Sequence, residues 1–535
     1  MSHEQPALFD LAIIGAGFAG MYALKRALDS DRTAIVFERG DDVGGTWYWN
    51  RYPGARCDVQ SMEYSYSFDE DLQQEWRWSE RFAPQPEILK YAQHVAERFK
   101  LKHHIRFETT VESATYLEGE KLWEVKTDTG LTALARTCIM ATGCLSSTNL
   151  PAFEGIEDFE GEHYHTGLWP HEPVDFTGKR VGIIGTGSSA IQSIPIIAET
   201  AAHLTVFQRT ANYSIPAHNG PIDQAYAETI RENYGDFRDR NRQMFAGFGA
   251  DQARSDLSVF EVDDAERAAR FEIKWQEGGL GFTSTFGDLG RNPEANQLAA
   301  EFVRSKIRQT VEDPEVADLL CPDQVIGCKR VCVDTNYYAT YNKANVELVN
   351  VRQAPIERLT KTGLIQGGAS YDFDMIIFAT GFDAMTGTLL RIDITGRDGV
   401  KLRDKWEAGP TTYLGLGIHG FPNLFTVSGP GSPSVLSNMI VTIEQHVNFI
   451  FDCLDYLKSN GLSSVEAEAD AEAMWVQQGN AIANETLFPT CNSWYLGANV
   501  PGKPRIFMPF VGGFPLYQSI CKDVQAHDYR GFQLA

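Results

Sequence analysis

The chain has 535 residues with ordinary hydrophobic (43%) and charged (22%) fractions, so it is long enough for two or three domains that each bury a core. Its 71 acidic residues outnumber the 47 basic residues and give a formal net charge of −24 at pH 7. This balance argues against nucleic acid or an anionic membrane surface as the main partner.

Targeting and disulfide signals do not stand out in the sequence. The first residues, MSHEQPALFDLAIIGAG, lack the basic start and long apolar run of a signal peptide, and no stretch approaches the roughly 18 to 20 apolar residues of a membrane span. We therefore expect a cytoplasmic protein without a membrane span. The nine cysteines form no CxxC pair, and Cys328 and Cys332 are one residue too far apart for one. We expect free thiols in a reducing compartment.

The first predicted unit is a nucleotide-binding turn between two strands. Its elements are a strand over 10–14, the turn GAGFAG, a helix over 21–28 and a strand over 33–38. Gly15 permits a tight turn, Gly17 lets a pyrophosphate approach the backbone, and Gly20 allows close packing of the helix. Glu38 ends the second strand, where an acid receives ribose hydroxyls. The strand, spacing and acid together predict an FAD site.

A second copy of this unit follows in KRVGIIGTGSSA, which contains Gly185, Gly187 and Ala190. Its second strand, LTVFQRT, ends with Arg209 and Thr210 where the first copy has an acid. An arginine there binds a ribose 2′-phosphate, which an acid would repel. The second site therefore favours NADPH over NADH, whereas a lone Arg209 would be read as a solvated surface charge.

The order of these motifs predicts an α/β fold with two Rossmann-like dinucleotide-binding domains (FAD and NADPH) and a helical insertion. Apolar strands ending in Ala-Thr-Gly, within 139–146 and 376–387, predict crossovers between the two domains. A stripe at every fourth residue predicts one buried helix face in the insertion: Ala299, Val303, Ile307 and Val311. The predicted parts are 1–146 (FAD), 147–215 (NADPH), 216–325 (helical insertion), 326–378 (NADPH) and 379–535 (FAD).

The link between the two units contains FEGEHYHTGLWP, residues 159–170. Taken alone, this stretch is compatible with a metal site, a catalytic histidine or a well-packed loop. A zinc site is disfavoured because no cysteines or carboxylates lie at ligand spacing around His165. An acid or base at the flavin and a packed, hydrogen-bonded imidazole both remain open.

The same stretch carries a resemblance to a known family. Phe159, Gly161, His165, Trp169 and Pro170 spell FxGxxxHxxxWP, which resembles the fingerprint of type I Baeyer–Villiger monooxygenases, class B flavoprotein monooxygenases. Related enzymes that oxidise nitrogen or sulfur usually carry Tyr or Phe in place of the tryptophan. Further stretches resemble segments of the family, and GPGSPSVLSNM resembles its phenylacetone and steroid monooxygenase branch; the others are GGTWYWNRYPGARCD, GCKRVCVDTNYY and NSWYLGANVPGKPR.

The resemblance implies an NADPH-dependent flavin monooxygenase that uses FAD, NADPH and dioxygen and no metal. Such an enzyme inserts one oxygen atom beside the carbonyl of a small-molecule ketone through a peroxyflavin, giving an ester or lactone, and also oxidises sulfides. We expect bulky or aryl-substituted ketones and a monomeric enzyme. For the linker the resemblance implies a hinge that holds the chain while the NADPH domain shifts.

The resemblance also implies roles for individual residues. Arg330 would stabilise the peroxide and oxyanion charges because a guanidinium keeps its proton, and Asp58 would fix that arginine. The implied FAD contacts are Gly15, Gly17, Gly20, Glu38, Gly45, Thr46, Trp47, Asp58, Tyr64, Val111 and Met439, which also borders the substrate pocket. The implied NADPH contacts are Arg56, Cys57, Gly185, Thr186, Gly187, Ser188, Ser189, Gln192, Arg209, Thr210, Lys329, Arg330 and Trp494. The linker fingerprint is Phe159, Gly161, His165 and Trp169.

Three other functions stay open at this point. A heteroatom (N/S) flavin monooxygenase is the nearest, and Trp169 disfavours it. A non-catalytic NADPH-binding flavoprotein would keep the glycine turns but would not need Arg330, Asp58 and the linker fingerprint together. A disulfide reductase shares the double Rossmann plan but requires a redox-active cysteine pair beside the flavin.

Overall fold

The computed structural model describes residues 6–252 and 254–535. The strands in these ranges are β1 (Ala7–Ile14), β2 (Ala34–Phe37), β3 (Ile105–Arg106), β4 (Val111–Leu117), β5 (Leu122–Thr127), β6 (Thr132–Met140), β7 (Glu162–His165), β8 (Arg180–Ile184), β9 (His203–Gln208), β10 (Ser214–Pro216), β11 (Cys332–Asp334), β12 (Val346–Asn350), β13 (Ile356–Thr360), β14 (Gly363–Gln366), β15 (Ala369–Asp372), β16 (Met375–Phe378), β17 (Asp393–Thr395), β18 (Leu424–Thr426), β19 (Val465–Ala467) and β20 (Phe532–Leu534).

The α-helices of the same ranges are α1 (Phe18–Asp29), α2 (Thr46–Trp49), α3 (Glu70–Glu75), α4 (Gln85–Arg98), α5 (Ser188–Thr200), α6 (Gln224–Glu232), α7 (Tyr234–Arg242), α8 (Asp264–Glu277), α9 (Pro293–Thr310), α10 (Pro314–Leu320), α11 (Tyr337–Thr340), α12 (Gly387–Arg391), α13 (Leu402–Lys405), α14 (Met439–Ser459), α15 (Ala469–Asn484) and α16 (Phe514–Ala526). None of the helices described is long and apolar enough to cross a membrane.

The first sheet has eight strands in the order β17-β4-β5-β6-β1-β2-β3, with β18 also paired to β6. β1 is parallel to both neighbours, and its Leu11 stands opposite Ala34 of β2 and Thr137 of β6. β17 and β18 are parallel additions from much later in the chain. The sheet therefore combines segments from the first and last thirds of the sequence.

The second sheet has five parallel strands in the order β12-β9-β8-β16-β7. Ile183 of the central β8 stands opposite Val206 of β9 and Ile377 of β16. All three side chains are fully buried, as expected for parallel strands that are covered on both faces. Together the two sheets and their helices confirm the predicted α/β class with two Rossmann-like units.

Each glycine-rich turn packs against the Ala-Thr-Gly segment of its own sheet. Gly15 has a φ of +103°, and a Cβ added to it would lie 2.6 Å from the carbonyl oxygen of Ala141. Gly185 repeats this arrangement with a φ of +116° and a distance of 2.5 Å to the oxygen of Ala379. A larger residue would be strained in φ and would collide with backbone, so both turns require glycine.

The segment between the two halves of the second sheet contains helices α6 to α10. The predicted stripe on α9 is buried, since Ala299, Val303 and Ile307 are fully inaccessible and Val311 is only 3% exposed. This confirms the helical face predicted from the four-residue period.

The expectation that all cysteines are free thiols is wrong for one pair. Cys328 and Cys491 form a disulfide, with their Cα atoms 6.0 Å apart. The two residues are separated by 163 positions in sequence, so the local spacing of cysteines could not predict the pair. The remaining cysteines of the chain are free.

Candidate active site

The two glycine-rich turns open into one cavity of about 1160 Å³. Gly15 and Gly17 line it from the first unit, and Gly185 and Gly187 line it from the second. Residues from both Ala-Thr-Gly segments lie between them. Both predicted nucleotide sites therefore belong to a single continuous space.

All residues predicted to contact FAD or NADPH line this cavity, with the exception of Gly20. The predicted FAD contacts in the lining are Gly15, Gly17, Glu38, Gly45, Thr46, Trp47, Asp58, Tyr64, Val111 and Met439. The predicted NADPH contacts in the lining are Arg56, Cys57, Gly185, Thr186, Gly187, Ser188, Ser189, Gln192, Arg209, Thr210, Lys329, Arg330 and Trp494. Gly20 is a packing position, because a Cβ there would lie 1.8 Å from the oxygen of Gly15.

The first unit presents a carboxylate at the end of β2. Glu38 is only 6% exposed and accepts hydrogen bonds from the backbone N–H groups of Ala16 at 2.7 Å and Gly40 at 2.8 Å. These bonds hold the side chain but leave lone pairs on a carboxylate that offers about four. Close by, a Cβ on Gly17 would lie 3.3 Å from the Cα of Gly45, so two loops expose bare backbone here. The acid and this glycine cradle fit the ribose and pyrophosphate of FAD.

The second unit presents two cations at the end of β9. Burial first, and then the positive charge of Arg209, lower the pKa of Lys329 below its usual range. Within the described residues, neither side chain has a carboxylate within 4.0 Å. Two cations that face one cavity without a carboxylate partner form a site for an anion, and the 2′-phosphate of NADPH fits it.

Arg330 and Asp58 meet across the cavity in a bidentate pair. Nε and Nη2 of Arg330 donate to the two carboxylate oxygens of Asp58 at 2.7 and 2.8 Å, and Nη1 donates to the carbonyl oxygen of Val435 at 2.7 Å. Burial opposes the charged guanidinium, but the charge and hydrogen bonds of Asp58 outweigh it and raise the pKa of Arg330 above its usual range. Three of the five N–H groups are thereby engaged, which leaves two for a bound group.

Two different loops deliver these side chains to the same place. Arg330 lies just before β11, the strand that pairs with β10. Asp58 follows Cys57, whose backbone N–H donates to the oxygen of Ala83 at 3.1 Å. Each side chain keeps only about a quarter of its surface accessible (25% for Arg330 and 24% for Asp58). The pair is therefore positioned from both sides and shielded from most of the solvent.

Apolar side chains contribute to the cavity wall. Val435, whose carbonyl oxygen accepts from Arg330, and Ile443 supply aliphatic surface, and Met439 lines the cavity at the start of α14. The helix start is held by Asn438, whose side-chain oxygen accepts from the N–H of Ile440 at 3.1 Å. This arrangement provides room for an apolar molecule within reach of a fixed positive charge.

Arg56 and Gln192 connect the two units at the edge of the cavity. The Nη1 group of Arg56 donates to Glu80 at 2.9 Å, so its charge is already paired with a carboxylate. Gln192 accepts from the hydroxyl of Tyr52 at 2.9 Å and donates to the backbone oxygen of Arg56 at 3.2 Å. Both residues therefore contribute to the junction between the units as well as to the lining.

The linker fingerprint lies outside the residues that line the cavity. Phe159 and Trp169 are 8% and 6% exposed and belong to apolar clusters around the second sheet. A Cβ on Gly161 would lie 2.5 Å from the ring of Phe159 and 2.8 Å from the oxygen of Asp374, so only glycine fits there. These residues pack the linker against the sheet.

His165 ends β7 and joins the two crossovers between the units. Its Nδ1 accepts from the N–H of Gly167 at 3.0 Å, and its Nε2 lies 3.3 Å from the hydroxyl of Thr380. That hydroxyl donates to the backbone oxygen of Asn149 at 2.6 Å. Burial lowers the pKa of His165, so the ring is neutral and its proton is on Nε2. Among the described residues, no group of three or more His, Cys, Asp or Glu side chains could hold a metal ion.

Several residues of the lining were not singled out from the sequence. Arg39 is adjacent to Glu38, and its guanidinium lies 4.2 Å from the ring centre of Trp49. Asn149 lies shortly after the first Ala-Thr-Gly motif, and Thr380 lies within the second. The two motifs could therefore have marked both residues. Asn499 lies within NSWYLGANVPGKPR, so the resemblance of that stretch could have marked it.

Comparison with known proteins agrees with this geometry. Residues 9–220 match the flavin-binding monooxygenase-like family. A Baeyer–Villiger monooxygenase of Pseudooceanicola batsensis is 41% identical over 97% of this chain and 95% of its own. A phenazine N-monooxygenase of Lysobacter antibioticus is 38% identical over 98% of this chain and 97% of its own.

A solved structure extends the likeness to the whole fold. An oxidized steroid monooxygenase bound to NADP is 50% identical, covers 99% of both chains and superposes with a TM-score of 0.94. The glycine turns, the linker fingerprint and the Arg330–Asp58 pair thus stand in a chain that resembles these proteins along nearly its entire length. The chain belongs to the Baeyer–Villiger monooxygenase family of flavin-binding monooxygenases.

Proposed function

We propose that the protein is an FAD-dependent monooxygenase that consumes NADPH and inserts one oxygen atom of dioxygen beside a ketone carbonyl, giving an ester or lactone. The observation that carries this proposal is the Arg330–Asp58 pair in a cavity shared by both nucleotide turns. When bound, FAD accepts a hydride from NADPH and supplies the electrons that activate dioxygen. The protein's own part is to bind both cofactors, hold charge and exclude water.

The first unit holds FAD through backbone and an acid. The exposed backbone at Gly17 and Gly45 would let the pyrophosphate approach, and the start of α1, where the N-cap Gly17 has no side chain to cap the helix, would offer it backbone N–H groups. Glu38 receives the ribose hydroxyls. Trp47 donates through its ring N–H to the hydroxyl of Tyr64 at 3.2 Å, which orders two aromatic rings on the cavity wall.

The second unit selects NADPH through charge. Arg209 and Lys329 line one cavity, and no carboxylate of the described part of the chain lies within 4.0 Å of either, so a doubly charged phosphate would relieve their repulsion. Trp494 lines the same cavity as the flavin site. NADPH held by Arg209 and Lys329 would therefore share one cavity with FAD, where it would supply the hydride.

Arg330 stabilises negative charge that develops on oxygen during the insertion. Its guanidinium stays protonated, because Asp58 raises its pKa, and two of its N–H groups remain for a reacting oxygen. Fixed donors in a partly buried site require little reorganisation as charge appears. The apolar wall formed by Val435, Met439 and Ile443 excludes water and accepts the hydrocarbon part of the ketone.

The activity is tested with the purified holoenzyme. The flavin is first reduced anaerobically with NADPH, oxygen is then admitted, and a panel of cyclic, aryl-substituted and other bulky ketones is assayed for esters and lactones. We expect reduction by NADPH, followed by ester formation from at least part of the panel. A protein that carries no flavin, or one that reduces its flavin but converts no ketone, would overturn the proposal.

A second candidate is oxidation of nitrogen or sulfur. The observation that favours it is the likeness to a protein named as a phenazine N-monooxygenase. The same panel therefore includes sulfides and amines. Conversion of these compounds without any ketone product would support the heteroatom oxidiser over the ketone oxidiser.

Some earlier expectations stay proposals of the same kind. The domain boundaries at 146, 215, 325 and 378, the preference for bulky ketones, the oxidation of sulfides, the monomeric state and the cytoplasmic location rest on the sequence. The expectation of a reducing compartment rested partly on nine free cysteines. Cys328 and Cys491 form a disulfide, so that support is lost.

A further inference from the structure

The disulfide joins two segments that both line the cofactor cavity. Cys328 directly precedes Lys329 and Arg330, and Cys491 directly precedes the lining stretch 492–494. Neither cysteine is itself among the lining residues. The bond therefore lies immediately behind the wall, where it fixes the spacing of the side chains in front of it.

The segment after Cys491 is held by turns and side-chain contacts more than by long helices or strands. Between residues 497 and 513 the chain forms no helix or strand. Asn499 donates to the oxygen of Phe382 at 2.7 Å, and Lys503 forms an ion pair with Asp383 at 2.6 Å. These contacts anchor the middle of the segment to the second crossover. Its beginning is anchored by the disulfide to the loop between α10 and β11 (residues 321–331), here called the Lys329 loop.

Burial and charge repulsion favour an outward movement of the Lys329 loop when no anion is bound. Lys329 is partly buried close to the like charge of Arg209, and both features disfavour its charged form in this position. Moving the loop outward would relieve this repulsion and rehydrate the ammonium group. A covalent bond to a second segment limits that movement, so the loop stays preorganised for a phosphate.

We propose that the Cys328–Cys491 disulfide is a positioning crosslink for the dinucleotide site, holding together the two segments that carry Lys329 and Trp494, so that opening the bond weakens NADPH binding. This inference rests on the proposed function. Both cysteines act through their neighbours and touch no cofactor themselves. The ability of the enzyme to use NADPH would then depend on whether these two cysteines are oxidised or reduced.

The bond can be opened by a small dithiol. Cys328 is 1% exposed but Cys491 is partly exposed, so a reductant thiolate reaches the Cys491 sulfur first. Attack forms a mixed disulfide and releases the Cys328 thiolate. The second thiol of the reagent then closes on the mixed disulfide, releasing the Cys491 thiol and leaving a cyclic disulfide. Two electrons and two protons pass from the reagent to the protein.

The test measures how opening the disulfide changes NADP⁺ binding, and how NADP⁺ binding changes the opening of the disulfide. The dissociation constant of NADP⁺ is determined for the FAD-loaded enzyme before and after treatment with dithiothreitol, with the bond state checked by alkylation and peptide mass spectrometry. We expect the dissociation constant to rise about five-fold or more when the bond opens. By linkage, saturating NADP⁺ must then shift the dithiothreitol/disulfide ratio at half-reduction by the same factor, which a bond of purely structural importance would not show.

Two variants complete the test. Cys491→Ser is expected to bind NADP⁺ as weakly as the reduced enzyme and to lose its response to the dithiol. Cys321→Ser removes a thiol that is free in the structure, and it is expected to behave as the unmodified enzyme. If Cys491→Ser does not fold, the redox titration of the unmodified enzyme still decides the question.

The possible failures are distinct. Absence of the crosslinked peptide in the oxidised protein, or an unchanged NADP⁺ affinity after the bond opens, overturns the crosslink while leaving the proposed function intact. An oxidised, flavin-loaded protein that does not bind NADP⁺ at all overturns the proposed function, and the crosslink with it.

Discussion

Arg330 donates two parallel hydrogen bonds to the carboxylate of Asp58, at 2.7 and 2.8 Å, across 272 positions of sequence. The planar fork of the guanidinium matches the two carboxylate oxygens, which an ammonium group cannot do. Asp58 thus fixes both the direction and the charge of Arg330 within the cavity. Two N–H groups remain for a second partner.

Replacing Arg330 is expected to separate oxygen transfer from hydride transfer. In Arg330→Ala we expect FAD to remain bound and NADPH to reduce it, because the flavin site is built by other residues. Ester formation is expected to lose about 2.7 to 4 kcal/mol of transition-state stabilisation, as oxyanion donors do when removed. The decisive measurement is the ratio of ester formed to NADPH consumed, beside the rate of flavin reduction.

The controls for this experiment are two further variants. Arg330→Lys is expected to rescue poorly, because a lysine cannot serve Asp58 and a reacting oxygen together. Arg530→Ala removes an exposed arginine paired with Asp523, away from the cavity lining, and is expected to change nothing. An alanine variant at position 330 with a normal ratio would remove Arg330 from the mechanism.

Arg209→Ala is expected to erode the preference for NADPH. Loss of a charged hydrogen bond to the 2′-phosphate is expected to lower kcat/KM for NADPH by about 1 to 3 kcal/mol, with NADH little affected. Arg180 lies at the start of β8, and the nucleotide turn at Gly185 follows the other end of that strand. Arg180→Ala therefore serves as the matched control. Equal use of both nucleotides by the unmodified enzyme would contradict the assignment.

Glu63 gives the protein a pH dependence of stability. The side chain is 4% exposed; its Oε1 accepts from the N–H of Gly249 at 2.7 Å, and its Oε2 has no partner among the described residues. Burial is the main cause that raises the pKa of Glu63 from 4.5 to about 7. The folded state therefore holds this proton more tightly than the unfolded chain does. Its contribution to stability is full below about pH 4.5 and is lost as the pH rises through about 7.

We expect Glu63→Gln to be more stable than the unmodified protein at pH 8 by about 2 to 3 kcal/mol, and similar to it at pH 5, because the amide cannot ionise. Thermal unfolding of both proteins at the two pH values measures this difference. Glu312→Gln, at an exposed glutamate, is the control and is expected to show no such change. A stability difference between Glu63→Gln and the parent that does not vary with pH would show that Glu63 is not buried as a neutral acid.

Trp169→Tyr is expected to change stability and leave the chemistry alone. Although the resemblance associates this position with the type of reaction, Trp169 packs against Tyr164 and Phe176, with ring centres 5.2 and 6.3 Å away, and does not line the cavity. We expect a loss of about 1 to 2 kcal/mol in unfolding free energy. The ratio of ester to sulfoxide formed from a ketone and a sulfide supplied together is the measurement. A variant that shifts this ratio towards the sulfoxide would give the tryptophan a direct role in selecting the reaction.

The sequence by itself determined the local parts of this protein. Gly15 and Gly185 could be assigned to nucleotide turns because only glycine tolerates their backbone angles and the close approach of a neighbouring carbonyl group. Glu38 was predicted to bind ribose and Arg209 a phosphate because their charges differ at equivalent ends of two strands, and both roles stay predictions. The buried face of α9 followed from its four-residue period. Each of these signals lies within a short stretch of chain.

Only the tertiary structure decided which distant residues meet. The Arg330–Asp58 pair spans 272 positions and was expected from the resemblance alone, while the disulfide spans 163 positions and was missed. The sequence left His165 open between catalysis and packing, and only the structure shows that its ring contacts Thr380 of the second crossover; the hinge role that the resemblance implies stays a prediction. Such contacts arise where separate loops converge at the ends of two sheets. No local propensity or spacing encodes them, because their distances are set by the packing of whole units.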